Sequence, residues 1–368
     1  MEAIQVQGAP NLYRCHKGAL NELKQLVINE GWKKGLLVHG NASWTVSAPF
    51  IQSLNLPLVA TQYHGECTRE EVARIVALAL EAGVDYILGV GGGKIIDLVK
   101  ATADCLQQPF LLVPTLASNC APWTPLSVFY DQEGRFTDYE VFSRNAFMVA
   151  IEPELIMNSP APFLRAGIGD TLAKWYEADV LVKQLEHKPI PVNVAAHAAR
   201  LCHDVLLEHG AQAIQDHAEQ KITRSFIQTV ETIIMVGGMV GGFGERYGRI
   251  AGAHSIHNGL TVLPETHDKL HGDKVAYGIL VQLALENRFD EIEKLLPYYH
   301  QLALPTCLKD LGVVVDQQNL VFEQVAKAAT KVTESIHFME RSTEEAVAHA
   351  MKQLDTWIMS KQIQDVIE

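Results

Sequence analysis

No two cysteines stand in a CxxC pair, and the six present, Cys15, Cys67, Cys105, Cys120, Cys202 and Cys307, are scattered along the chain. That spacing excludes a zinc ribbon or a thioredoxin-type redox pair and suits a reducing compartment, so a cytoplasmic location is expected. No basic-then-apolar leader opens the sequence, and no stretch approaches the ~18 continuous apolar residues of a membrane-spanning helix, so the expectation is a soluble protein with no membrane partner. Positive charge is in short supply: 30 Lys and Arg against 43 Asp and Glu leave a formal net charge of -13. Such a surface repels nucleic acid and anionic lipid, so neither is expected as a partner, and an anionic ligand needs a local basic site. Internal repeats and low-complexity tracts are also missing.

What is present is apolar material for more than one core. A chain of 368 residues with 48% hydrophobic composition is expected to divide into two domains. Short apolar runs at 35–39, 56–60, 85–90, 110–113 and 147–151 alternate with helix-period segments, the rhythm of βαβ units and a mostly parallel sheet. Between them, Thr68 caps a helix with Glu70 and Glu71 in its first turn, and a second crossover helix follows the glycines before Lys94. After Glu152 the strand runs stop, and 163–182, 192–209, 222–239, 274–286 and 321–329 carry helical spacing. The expected architecture is therefore an α/β Rossmann-like domain at 1–157 and an all-helical domain at 158–368, with the Pro153, Pro160 and Pro162 stretch as the hinge candidate.

Gly89-Val90-Gly91-Gly92-Gly93-Lys94 lies where a strand passes into a helix, a place where bare backbone N–H groups and the helix dipole hold phosphate. It is neither GxGxxG nor a Walker A loop, and a tight strand-to-helix turn needs glycines of the same kind. Asp97, one turn on, either reaches a ribose, caps the glycine loop or serves the helix dipole. The 35–39 strand ends in Gly40-Asn41, where dinucleotide folds often present an acid to the ribose; a neutral Asn leaves both NAD and NADP open, and a plain turn Asn is the bland alternative.

His254 and His257 are spaced i, i+3, His267 and His271 i, i+4, and Asp170 closes Gly167-Ile168-Gly169-Asp170 at what reads as a helix start. Imidazoles and a carboxylate suit a divalent metal, although fifteen histidines make chance pairs ordinary and the HExxH glutamate is missing. A phosphate-binding turn and a metal site make sense together, since a metal on an alcohol oxygen lowers its pKa for transfer of hydride to a nicotinamide.

GVGGGKIIDLVKA at 89–101, PTLAS at 114–118, LSVFY at 126–130, AGIGDTLAKWYEA at 166–178, AHSIHNGL at 253–260 and HGDKVAYG at 271–278 occur in one order along nearly the whole chain. In these segments the sequence resembles the iron-containing alcohol dehydrogenase superfamily and, within it, the glycerol dehydrogenase-like branch. The resemblance implies a dehydroquinate synthase-like fold, an NAD(P)-linked oxidoreductase and a homo-oligomer. It implies Asp170, His254 and His271 as ligands of one zinc or iron ion, with His257 and His267 nearby. Asn41, Gly91, Gly92, Gly93, Lys94, Asp97, Thr115, Ser118, Thr124, Leu126 and Tyr130 would contact the cofactor in the cleft between the domains.

Two departures from the branch bear on substrate. Glycerol dehydrogenases carry a polyol-binding aspartate shortly after the PT-x-AS motif, and Cys120 takes that place here, a pattern with Trp123 that is similar to the hydroxycarboxylate dehydrogenase A type. Lys174, where larger relatives have a fourth histidine ligand, lies i+4 from Asp170, and Arg246 lies two turns before His254 in what reads as one continuous helix. Charge has shifted toward positive, which suits a 2-oxo or 2-hydroxy acid; the bland alternatives are ion pairing for Lys174, solvent for Arg246 and core filling for Cys120. Gly237-Gly238 and Gly241-Gly242 are expected to permit close helix packing or a break near the site. Competing classes are a glycerol or other vicinal-diol dehydrogenase, a 3-dehydroquinate synthase-like lyase, and a non-catalytic nucleotide sensor.

Overall fold

A computed structural model describes residues 4–248, 250–314 and 320–367, with side chains to Lys361. The first part of the chain runs β1 (Leu12–Cys15), α1 (Ala19–Asn29), β2 (Gly35–His39), α2 (Asn41–Ser53), β3 (Leu58–Gln62), α3 (Arg69–Ala82), β4 (Tyr86–Gly91), α4 (Gly93–Leu106) and β5 (Phe110–Pro114). A hairpin, β6 (Leu126–Tyr130) and β7 (Phe136–Val141), precedes β8 (Met148–Ile151). Six strands form one parallel sheet in the order β1-β8-β5-β4-β2-β3.

The strands are apolar without alternation because both faces of the sheet are covered, as parallel sheets require. Leu37, Leu88, Val90, Leu111 and Val113 face α1 and α2, packing on Leu23, Val27 and Ile51. The residues between them, Leu36, Val38, Ile87, Leu112 and Val149, face α3 and α4 and pack on Ile75, Ile96 and Val99. Thr68 caps α3 by accepting the Glu71 N–H, and Gly83 ends it in the left-handed region.

From residue 153 onward the described residues form helices and short turns: α5 (Pro153–Met157), α6 (Ala161–Val182), α7 (Ile190–Ala218), α8 (Arg224–Glu231), a π-helical turn at Thr232–Val236, and α9 (Gly237–Gly244). Then come α10 (Gly252–Leu260), α11 (His271–Leu285), α12 (Phe289–Leu302), α13 (Leu320–Ala329) and α14 (Glu344–Ile367). This is the two-part α/β and all-helical architecture expected. Every residue of α11 from Gly272 to Leu285 is buried, so α11 with α6 forms the axis of the helical part.

Three local expectations change. The strand expected at 56–60 forms at Leu58–Gln62, two residues later. The helix expected over 222–239 is interrupted by the π turn between α8 and α9. The run Arg224–Tyr247 is apolar enough by composition to cross a membrane, but most of it is buried within the fold.

Candidate metal centre and cofactor edge

Asp170 sits in the middle of α6, not at a helix start as its glycine-rich approach suggested. Those glycines serve helix crossing. A Cβ on Gly169 would stand 2.7 Å from the Gly272 carbonyl oxygen, and one on Gly272 would collide with the Ala166 carbonyl, so α6 and α11 meet backbone to backbone. The crossing lies beside Asp170 on one helix and His271 on the other. Arg165 ties the same helices together, Nε at 3.1 Å and Nη2 at 2.6 Å from the two carboxylate oxygens of Asp273. Gly167 is pressed against the Ala117 backbone, which docks the PTLAS segment of the sheet domain onto α6.

His254 comes from α10. Its Nε2 is 3.3 Å from Asp170 Oδ1, and His271 Nε2 is 3.0 Å from the same oxygen. One donor atom from each of the three residues lies within 4.8 Å of the others. The second nitrogen of each ring is engaged elsewhere: His254 Nδ1 is 2.6 Å from Glu177 Oε2, and His271 Nδ1 is 2.9 Å from His257 Nε2. A carboxylate and two oriented imidazoles fit a divalent cation with three protein ligands and room for substrate. His257 is thus a direct neighbour, whereas His267 lies 3.1 Å from the Thr261 carbonyl and outside the cluster.

The electrostatics are dense. Burial opposes charge on Asp170, but Lys174 and the imidazoles of His254 and His271 outweigh it and hold the carboxyl well below its usual range. Burial also opposes charge on His254, and Glu177 overcomes it, so its pKa rises. His257 is pushed well down by burial and by the neighbouring His271 and Lys274. Lys174 is buried, and attraction to the carboxylates of Asp170 and Glu177 more than offsets the burial penalty, leaving it an ammonium. The Cys120 thiol is pushed up by burial and stays neutral. Gly237 stands between Cys120 and Thr171, its built Cβ 3.6 Å and 3.3 Å from them, so Cys120 sits level with the residue after Asp170.

Arg246 requires a correction. α9 ends at Gly244, Glu245 takes a positive φ of 50°, and α10 begins only at Gly252. No continuous helix carries Arg246 to the His254 face; its exposed guanidinium lies over the Tyr247 ring. At Gly238 and Gly242 the close packing is against non-helical segments and not, as expected, against another helix: Gly238 accommodates Trp123 and Gly242 accommodates the Gln7 carbonyl.

Asn41, Gly91, Gly92, Gly93, Lys94 and Thr115 gather at the carboxyl edge of the sheet. β3 lies on one side of β2 and β4 on the other, so chain direction across the sheet reverses at β2 and β4, the switch point where such sheets bind ligands. Ser43 Oγ reaches the Val90 carbonyl at 3.1 Å and Thr115 N–H reaches the Gly91 carbonyl at 3.1 Å, joining the three turns. A Cβ at Gly91 would crowd the Ile95 side chain, and one at Gly92 would stand 2.7 Å from the Leu116 side chain, so the turn is closely packed around both glycines. Lys94 is ion-paired with Glu66 and lies over the Tyr130 ring.

Asp97 turns inward. Its Oδ2 accepts the Val128 N–H at 3.1 Å and Oδ1 is 2.7 Å from Lys100 Nζ. Buried Lys100 donates to the carbonyls of Ala121, Thr124 and Leu126, so this pair fixes the segment that carries Thr124, Leu126 and, further back, Ser118 and Cys120. Sequence reading missed Lys100 and gave Glu177 no role at the metal site. Spacing held a clue for Glu177, which is i+7 from Asp170 and so on the same face of α6.

The iron-containing alcohol dehydrogenase family model matches residues 10–151. Hydroxycarboxylate dehydrogenase A of Escherichia coli (strain K12) is 41% identical over 359 residues, 96% of this chain and 98% of that protein. A glycerol dehydrogenase of Thermotoga maritima is 36% identical over 339 residues, 89% of this chain and 90% of that one. Among solved structures, a probable glycerol dehydrogenase from Sinorhizobium meliloti 1021 aligns with a TM-score of 0.86 at 31% identity, covering 97% of this chain and 100% of its own.

Proposed function

This chain belongs to the iron-containing alcohol dehydrogenase family, and on that premise we propose that it interconverts 2-oxo and 2-hydroxy carboxylic acids with NAD(P). Membership makes it an oxidoreductase, so the lyase and sensor readings fall away. Asp170, His254 and His271 would hold one divalent ion, zinc or iron. When bound there, that ion supplies Lewis acidity to the substrate oxygen adjacent to the carboxylate. Asn41, Gly91, Gly92, Gly93, Lys94, Thr115, Ser118, Thr124, Leu126 and Tyr130 would line the cofactor's place at the sheet edge, and the proposal extends to a homo-oligomer.

The observation that carries the substrate class is the buried ammonium of Lys174 beside Asp170, with neutral Cys120 next to it. Two carboxylates, Asp170 and Glu177, face one ammonium and one divalent cation, which leaves an excess of positive charge for an anionic substrate. An aspartate at position 120 would cancel that excess and suit a neutral polyol. Lys174 would hold the substrate carboxylate, and His257, kept neutral, would hold His271 Nδ1 so that Nε2 stays on the Asp170 side. The charge argument does not draw on Arg246, since the continuous helix expected to link it to His254 ends at Gly244.

The second reading is a vicinal-diol enzyme, supported by relatives named glycerol dehydrogenase. Steady-state rates of the metal-loaded protein with 2-oxobutyrate and 2-oxoglutarate, set against glycerol, separate the two. Turnover of the oxo acids is expected; activity on glycerol alone overturns the acid reading and leaves the diol one standing.

A further inference from the structure

α10, the helix that carries His254, begins without a cap of its own. Its N-cap residue is Ala251, which has no polar side chain, and among the described residues no neighbouring side chain caps it. A helix start buried in this way leaves N–H groups that must find acceptors. They find them on the other two ligand-bearing helices. Glu177 on α6 places Oε1 2.8 Å from the Ala251 nitrogen and 2.9 Å from the His254 nitrogen. Gln282 on α11 places its Oε1 3.0 Å from the Ala253 nitrogen, and its amide donates to the Tyr176 carbonyl at 2.9 Å, back onto α6. Glu177 and Gln282 are both buried, so water does not substitute for them.

We infer that Glu177 is the positioning residue of the metal centre and that its two carboxylate oxygens have separate tasks. Oε1 starts the helix that presents His254. Oε2 decides which nitrogen of that ring faces the cation. The inference rests on the reading of Asp170, His254 and His271 as metal ligands.

The second task follows from donor and acceptor chemistry. An ionised carboxylate only accepts. With Oε2 2.6 Å from Nδ1, that nitrogen must carry the proton, and the lone pair of the metal-loaded ring is left on Nε2, the nitrogen on the Asp170 side. A glutamine at position 177 can perform one task but not both. If its amide oxygen keeps the two backbone N–H groups, its NH2 faces Nδ1 and donates; Nδ1 then becomes the acceptor, and the proton moves to Nε2, where the metal must bind. The reverse orientation sets an NH2 against two N–H donors. The first orientation keeps two hydrogen bonds and is the one expected.

Three variants of the full-length protein test this, with Zn2+ as the probe and a chelating indicator reading affinity at about pH 8 beside apo-protein melting. Glu177→Gln is expected to keep an apo Tm near that of the parent protein while Zn2+ affinity falls roughly 10- to 100-fold. Gln282→Met, which removes a helix-start acceptor and the bond to the Tyr176 carbonyl but no contact with the His254 ring, is expected to lower Tm without an affinity loss of that size. His254→Ala is expected to abolish tight binding. If His254→Ala binds Zn2+ as the parent does, the ligand reading itself fails. If His254→Ala abolishes binding but Glu177→Gln does not weaken it, or Gln282→Met weakens it equally, the role assigned to Oε2 is overturned while the ligand reading stands. Should Glu177→Gln not fold, 15N-histidine NMR of the Zn2+-loaded parent decides: His254 bound through Nε2 with a proton on Nδ1 is expected, and binding through Nδ1 overturns the inference.

Discussion

Gly272 on α11 faces the carbonyl oxygen of Ala166 on α6 so closely that no side-chain atom fits between them. The contact lies one residue after His271, and the matching one at Gly169 lies one residue before Asp170. A methyl group at position 272 can be accommodated only by moving the helices apart, and the two ligands move with them. Gly272→Ala is therefore expected to destabilise the protein by about 1–3 kcal/mol or more, the range for overpacking a filled interior, and to weaken Zn2+ binding at least tenfold. Chemical denaturation and metal titration check this; unchanged affinity would show that the crossing does not set the ligand spacing.

Lys174 provides the sharpest test of the substrate class. If its ammonium holds a substrate carboxylate, Lys174→Met removes a charge-assisted contact of about 1.5–3 kcal/mol, so kcat/KM for a 2-oxo acid should fall roughly 10- to 150-fold. Turnover of a neutral ketone of the same length should fall much less. Equal losses on both substrates would assign Lys174 to support of Asp170 instead.

Cys120→Asp should act in the opposite direction to the charge surplus at the site. A carboxylate there, near Asp170 and Lys174, cancels the positive excess and repels an oxo acid. The ratio of glycerol to 2-oxobutyrate activity is expected to rise by at least tenfold, read as kcat/KM on each. A ratio that does not move would remove Cys120 from the specificity argument.

How far the sequence could be read depended on whether a feature was local. β2 falls on 35–39 as expected, and β4, β5 and β8 fall within a residue or two, because strands covered on both faces are continuous apolar runs. β7, FTDYEV, escaped notice because it is almost wholly exposed and its apolar residues, Phe136, Tyr139 and Val141, do not alternate with the period of two that marks a half-buried strand. The break between α9 and α10 was only half legible, for a different reason: the paired glycines allowed a break nearby, but no proline marks its place, and the caps that let α10 restart at Gly252 come from Glu177 and Gln282, far away in sequence. Asp170, His254 and His271 were legible as residue types in family motifs, but the glycines around Asp170 suggested a helix start until the crossing with α11 explained them.

Asp97 and Lys100 make a prediction that also distinguishes the roles open to Asp97. Lys100→Met leaves the Asp97 carboxylate buried and unpaired and frees three carbonyls of the 121–126 segment. Breaking one side of a buried pair is expected to destabilise by about 3–5 kcal/mol, and amide exchange should accelerate over 121–128. Asp97→Asn is expected to change Tm more than the KM for NAD(P). The opposite result, a cofactor effect with unchanged Tm, would return Asp97 to a ribose contact.

Acid stability should carry the signature of Asp355, remote from the metal centre. Its carboxylate on α14 accepts the Leu308 N–H at 3.1 Å and the Tyr277 hydroxyl at 3.1 Å, yet burial dominates and pushes its pKa up from 3.8 to about 6. An acid with a folded pKa above its unfolded one favours folding when protonated. Its contribution is full below about pH 3.8 and is lost as pH rises through 6, a change of about 3 kcal/mol at 1.36 kcal/mol per unit. Asp355→Asn removes the titration, so the stability difference between variant and parent protein should move in the variant's favour from pH 4 to pH 6 and stay constant above. Urea unfolding at a series of pH values measures it; a difference that is flat across that window would mean the Asp355 carboxylate is as well solvated when folded as when unfolded.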